Sequence, residues 1–186
     1  EYTSAGRLHM GYSFELLTED SSAAYIRDTV ERLEAVMTEG WPCWAISNHD
    51  VPRAISRWSD GVATPDHARQ LAMLVGALRG SVCIYQGEEL GLPEAEVPFE
   101  ALQDPYGITF WPNFKGRDGC RTPMPWTGGT HGGFSGAPSP WLPVPPGGYG
   151  GIENIVATLV AELRELGVEV VLASVGESTL PADGRV

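Results

Sequence analysis

Lysine is almost absent from this chain. Lys115 is the single one, and the other eleven of the twelve Lys and Arg side chains are arginine. Basic charge of any kind is scarce, with 12 Lys and Arg against 24 Asp and Glu and a net charge of −12. That balance argues against nucleic acid and anionic membrane surfaces as partners, because both reward basic patches. Cysteine is sparse as well. Cys43, Cys83 and Cys120 are odd in number and too far apart for a close-spaced zinc motif, so no metal and no cofactor is expected. Cys43 and Cys83 fall in apolar runs and read as buried structural thiols, which points to a reducing, cytoplasmic compartment. No apolar run approaches the ~18 residues that cross a bilayer, and no secretory leader precedes the first element. The first residues already read as the interior of a domain, so the expected chain is cut at its N-terminus.

What is present is enough apolar content, 42% of 186 residues, for a packed core. Leu8 to Leu17 reads as a strand and its loop. Ser21 or Ser22 caps a helix carrying Ile26, Val30, Leu33 and Met37 on one face, with Gly40 as its stop. The apolar run Pro42 to Ser47 is a second strand. Thr64-Pro65-Asp66 opens a second long helix with Leu71, Leu74, Val75 and Leu78 as its stripe. Ser81 to Tyr85 is a third strand. Strand and helix alternate every ~35–40 residues, the rhythm of a parallel α/β sheet. Residues 93–140 are rich in Pro, Gly and Trp and lack periodicity, as expected of a functional loop region. Beyond them a glycine-rich turn at 147–151 opens a helix over 152–166, stopped at Gly167, and Val168 to Ala173 reads as a strand.

The second strand ends in Asn48-His49-Asp50, an amide, an imidazole and a carboxylate. A (β/α)₈ barrel builds its site from such strand ends. The third strand runs into Glu88-Glu89, one unit further on. Carboxylates around a pocket suit glycoside hydrolysis, where positive charge develops on the sugar and hydrogen bonds to its hydroxyls tighten. From the local residues, Asp50 reads equally as a loop carboxylate capping the next element. The loop region adds Asp104-Pro105-Tyr106-Gly107, Phe110-Trp111-Pro112 and Gly116 to Trp126. Aromatic rings with Arg and Asp suit sugars, although Trp111 and Trp126 read as well as packing anchors.

Ser47-Asn48-His49-Asp50-Val51-Pro52-Arg53, Tyr85-Gln86-Gly87-Glu88-Glu89-Leu90-Gly91 and Gly116-Arg117-Asp118-Gly119-Cys120-Arg121-Thr122-Pro123-Met124-Pro125-Trp126 together resemble an α-glucosidase of the α-amylase superfamily, glycoside hydrolase family 13. The resemblance covers residues 1–140. It implies an α/β fold in which this stretch is part of a (β/α)₈ barrel, about its last three strands. It implies a retaining mechanism on α-linked glucosides or oligosaccharides, such as sucrose and malto- or isomalto-oligosaccharides. The family's transition-state-stabilising aspartate maps onto Asp50, with His49 as its sugar-binding neighbour. Arg117 and Arg121 lie in a loop bordering the pocket. The nucleophile and the acid/base belong to earlier strands, and no Asp or Glu here matches them. Activity would then need the N-terminal half of the barrel.

Residues 141–186, with Gly147-Gly148-Tyr149-Gly150-Gly151, resemble the N-terminus of a family 4 glycosyltransferase. This would add a partial Rossmann-like helix–strand segment whose glycine turn, at Gly150 and Gly151, approaches a sugar nucleotide. The two resemblances together imply a chimera with a boundary at 140/141. Three readings follow: an α-glucosidase fragment inactive by itself, a non-catalytic carbohydrate-binding remnant, or a glycosyltransferase fragment with a passenger N-terminal part.

Overall fold

The computed structural model describes residues 2–59, 63–145, 163–169, 171–172 and 184–185. Three strands, β1 (Met10–Ser13), β2 (Trp41–Trp44) and β3 (Ser81–Val82), form a parallel sheet in chain order. Met10 pairs with Trp41 and Cys43 pairs with Ser81. The crossovers are α1 (Ala23–Val36) and α3 (Pro65–Ala77), with a short α2 (Ala54–Arg57) before α3. This is the expected strand–helix alternation, with strands shorter than the apolar runs that encode them.

The helices start where their caps place them. Ser22 accepts a hydrogen bond from the Tyr25 amide and Thr64 from the His67 amide, each satisfying an otherwise orphaned N–H. The end of α1 differs from expectation. It stops at Val36, and Gly40 lies beyond it, pressed against the Thr3 side chain where a Cβ would collide. Gly40 is therefore a packing requirement and not a helix stop.

One face of the sheet is covered. Leu16, Trp44, Ile46, Ile55, Leu71 and Val75 are buried together, with Ile26, Val30 and Leu33 of α1 against them. Each such side chain contributes about 1.5–3 kcal/mol by leaving water. The Trp44 indole N–H is satisfied by the Arg79 carbonyl at 2.9 Å. The other face is bare. Met10, Tyr12 and Trp41 are all about half exposed, and successive side chains of a strand alternate between faces. Cys83 is exposed too, so the expectation that both strand thiols are buried holds for neither fully, since Cys43 is only half-buried. Among the described residues no further strand pairs with either edge of the sheet.

The chain after β3 forms an excursion of short turns and one helix, α4 (Pro105–Phe110). It has its own small core of Val97, Leu102 and Leu142. Of the expected 152–166 helix only the end is described. Residues 163–165 are helical, and Gly167 follows in the left-handed region with φ 77°. The strands β4 (Val171–Leu172) and β5 (Gly184–Arg185) pair in parallel. These pieces do not make a Rossmann-like unit among the described residues. Gly150 and Gly151 lie outside the described residues.

Arg53 fastens the excursion to the sheet. It is 2% exposed, donates from Nη1 to the Gln86 carbonyl and from Nη2 to the Cys120 carbonyl, and stacks over the Tyr85 ring. Replacing it by methionine keeps the volume and orphans the Gln86 carbonyl, while the Cys120 carbonyl keeps the Tyr85 hydroxyl. Arg53→Met is expected to destabilise the chain by about 1–3 kcal/mol for the orphaned carbonyl, read as a lowered urea midpoint.

Candidate functional site

Beyond β2 the chain stays buried through Ala45, Ile46 and Ser47. The Ser47 hydroxyl then accepts from the Ala54 amide at 2.8 Å, which closes the 48–53 segment into a loop. Inside that loop Asn48 Oδ1 accepts from the Asp50 amide at 2.8 Å, an Asx-type turn. Asn48 is buried, while His49 and Asp50 project outward with the Asp50 side chain 48% exposed. The N-cap of α2 is Arg53, with no side-chain cap bond, so Asp50 does not cap the next helix.

Two arginines from the excursion meet it. Arg117 Nη1 and Arg121 Nη2 each donate to Asp50 Oδ1 at 3.0 Å. Arg121 Nε also donates to the His49 carbonyl at 2.7 Å. His49 Nε2 lies 3.4 Å from Asp50 Oδ2. His49, Arg117 and Arg121, drawn from two separate motifs, thus converge on the Asp50 carboxylate.

Arg117 is itself gripped from behind. Its Nε and Nη2 donate to the two Asp104 oxygens at 2.8 and 3.2 Å, and its amide donates to Asp104 Oδ2 at 2.9 Å. The Asp104 side chain is 0% exposed. Its other oxygen caps α4 through the Tyr106 amide. Asp118, also buried, accepts from the amides of Gln103 and Asp104 at 2.6 and 2.8 Å. Two glycines permit this close approach. A Cβ on Gly107 would sit 2.5 Å from the Lys115 carbonyl oxygen, and one on Gly116 (φ 78°) would sit 2.8 Å from the Gly107 Cα.

The bidentate Arg117 contact holds the Asp104 carboxyl down to about 2, and Asp104, then Asp50, holds Arg117 firmly in its charged form. Glu88 and Glu89 do not join the site as the sequence implied. Glu88 Oε2 accepts from the Tyr85 amide and Glu89 Oε2 from the Gly87 amide, so each carboxylate binds its own turn. Burial pushes the Glu88 carboxyl up. Burial also pushes the Cys120 thiol up to about 11, which makes it a poor nucleophile. Among the described residues no cluster of three or more His, Cys, Asp or Glu could hold a metal ion. No helix among them is long and apolar enough to cross a membrane. Of the two expected anchors, Trp126 is 60% exposed, whereas Trp111, 37% exposed, packs against Phe99 with ring centroids 5.5 Å apart.

Residues 3–154 match the family model of the alpha-amylase catalytic domain. The chain belongs to the alpha-amylase family. The matched stretch of this alpha-amylase family member continues past residue 140. The chain is 57% identical over 147 residues to a probable alpha-glucosidase of Rhizobium meliloti (strain 1021), covering 77% of this chain and 26% of that one. It is 32% identical over 178 residues to an oligo-1,6-glucosidase of Parageobacillus thermoglucosidasius, covering 78% and 32%. Among solved structures, an alpha-glucosyl transfer enzyme, XgtA, superposes with a TM-score of 0.74 at 70% identity, over 78% of this chain and 27% of that one. The chain thus spans a quarter to a third of the length of these relatives, and its parallel sheet is a segment of their barrel-type fold.

Sequence reasoning missed the grip on Arg117. Asp104 was noted only as part of a loop motif, and nothing in a stretch without periodicity pairs it with a residue thirteen positions on. A carboxyl held below its ordinary value of 3.8 contributes stability that is full above that value and lost as pH falls through about 2. The clamp is therefore complete at neutral pH and fails between about pH 4 and 2. Urea midpoints of the wild type and Asp104→Asn are expected to differ at pH 6 and to converge as pH falls to about 2.

Proposed function

We propose that this chain supplies the transition-state-stabilising corner of a retaining α-glucosidase or α-glucosyl-transferring barrel. The observation that carries the reading is the division of labour on Asp50. Its Oδ1 holds two arginine donors at 3.0 Å, whereas among the described residues Oδ2 has only His49 nearby at 3.4 Å. A carboxylate has about four acceptor sites, so Oδ2 keeps capacity for a sugar hydroxyl. The arginines prevent the carboxylate from turning away, and its negative charge opposes the positive charge that grows at the anomeric carbon. His49, at the same rim, donates to a neighbouring hydroxyl.

The substrate class is supported by the relatives, named an alpha-glucosidase and an oligo-1,6-glucosidase, and by a mutant isomaltulose synthase of Erwinia rhapontici solved with its natural substrate sucrose, 25% identical with a TM-score of 0.61. The nucleophile and the acid/base come from barrel strands this chain does not carry. The chain by itself then binds but does not turn over. The glycosyltransferase-like reading of residues 141–186 has only its glycine pattern behind it, and the family match through residue 154 runs across the 140/141 boundary.

The isolated chain is expected to release no p-nitrophenol from p-nitrophenyl α-glucoside. Grafted over the corresponding stretch of the alpha-glucosyl transfer enzyme, residues 3–140 are expected to support turnover. Asp50→Asn in that graft lowers kcat by about 10³-fold or more. Turnover that survives the substitution would remove Asp50 from the chemistry and leave a sugar-binding remnant.

A further inference from the structure

Asp50 is exposed and flexible in principle, yet its partner Arg117 is one of the most constrained side chains on the surface. Three of the Arg117 donors, the backbone N–H, Nε and Nη2, are committed to Asp104, and only Nη1 is left for Asp50. Asp104 has no freedom to follow Asp50. It is fully buried, its own amide is bound to Asp118, and its Oδ1 also caps α4. The Tyr106 ring lies against the guanidinium, 5.5 Å from ring centroid to Cζ. The arrangement is directional, since the buried carboxylate sets the fork and the fork sets the exposed carboxylate.

We propose that Asp104 is a positioning residue for Asp50, acting through Arg117, so that the exposed carboxylate is aimed before any sugar arrives. The proposal rests on the sugar-binding reading of Asp50 for its purpose, but its geometry stands without a ligand. An aimed carboxylate loses little freedom on meeting the transition state, which is the condition for effective electrostatic stabilisation. Asp104→Asn isolates the effect. Asparagine still caps α4, because its amide oxygen accepts from the Tyr106 amide, but it carries no charge to hold the fork.

The test is NMR of the full chain at pH 7 without sugar, following arginine Nε–H exchange and the Asp50 Cγ signal. In Asp104→Asn the Arg117 Nε–H is expected to exchange about tenfold faster or more, and the Asp50 Cγ signal to move to its position in Arg117→Lys. Asp50→Asn, by contrast, should leave Arg117 Nε–H exchange within about twofold of wild type, because the grip lies behind the fork. A merely structural Asp104 would free the Tyr106 amide and leave the Asp50 signal in place. An unchanged Asp50 signal in a folded Asp104→Asn chain overturns the proposal. Should that variant lose its Tyr106 amide signal, Arg117→Lys decides alone, and an unchanged Asp50 signal there overturns it as well. Failure of Asp50 to bind glucosides would sink the functional reading and leave this result untouched.

Discussion

A single buried guanidinium joins the strand-built and loop-built halves of the site. Arg53 leaves the loop after β2, passes beneath it, and binds the carbonyls of Gln86 and Cys120. Its own amide is held by Glu94 at 2.9 Å. The Tyr85 hydroxyl donates to the same Cys120 carbonyl at 3.0 Å, which doubles the fastening. These contacts, together with Arg121 Nε on the His49 carbonyl and the Ala95 amide on the Gly119 carbonyl, hold the 117–121 turn over the end of β2 and so bring both arginines to Asp50. The buried cation is not left alone. Its attraction opposes the upward push that burial gives the Glu88 and Glu94 carboxyls.

From Arg53 outward the order is one of decreasing burial. Asp118 fixes the backbone at 103–104, Asp104 fixes Arg117, and Arg117 with Arg121 fixes Asp50. Rigid groups lie deep and the exposed carboxylate of Asp50 lies at the rim. This arrangement suits a group that must meet developing charge with no reorganisation of its own. The cost is a charge-dense loop, and its stability rests on carboxylates that must stay ionised.

The strand–helix order, both long crossover helices, the cap at Thr64 and a cap at Ser21 or Ser22 were legible in the sequence, because hydrophobic period and capping chemistry are local signals. So was the outward delivery of His49 and Asp50 at a strand end. The hub and the clamp were not. Arg53 stands 67 residues from the Cys120 carbonyl it binds, and Asp104 meets Arg117 inside a stretch with no period at all. Glu88 and Glu89 misled for the opposite reason. Two acids after a strand resemble site groups, but a tight turn with amides to satisfy claimed them first. Cys83 was read as buried because its run is apolar, yet it is exposed here, as are Met10, Tyr12 and Trp41 on the sheet's bare face.

The account stands on Asp50 meeting the sugar through its free oxygen. Titrating the full chain with methyl α-glucoside while following the Asp50 Cγ resonance tests this most directly. A saturable shift at Asp50, with the Asp104 Cγ signal unmoved, is the predicted result. A sugar that shifts other signals and leaves Asp50 unchanged would contradict it.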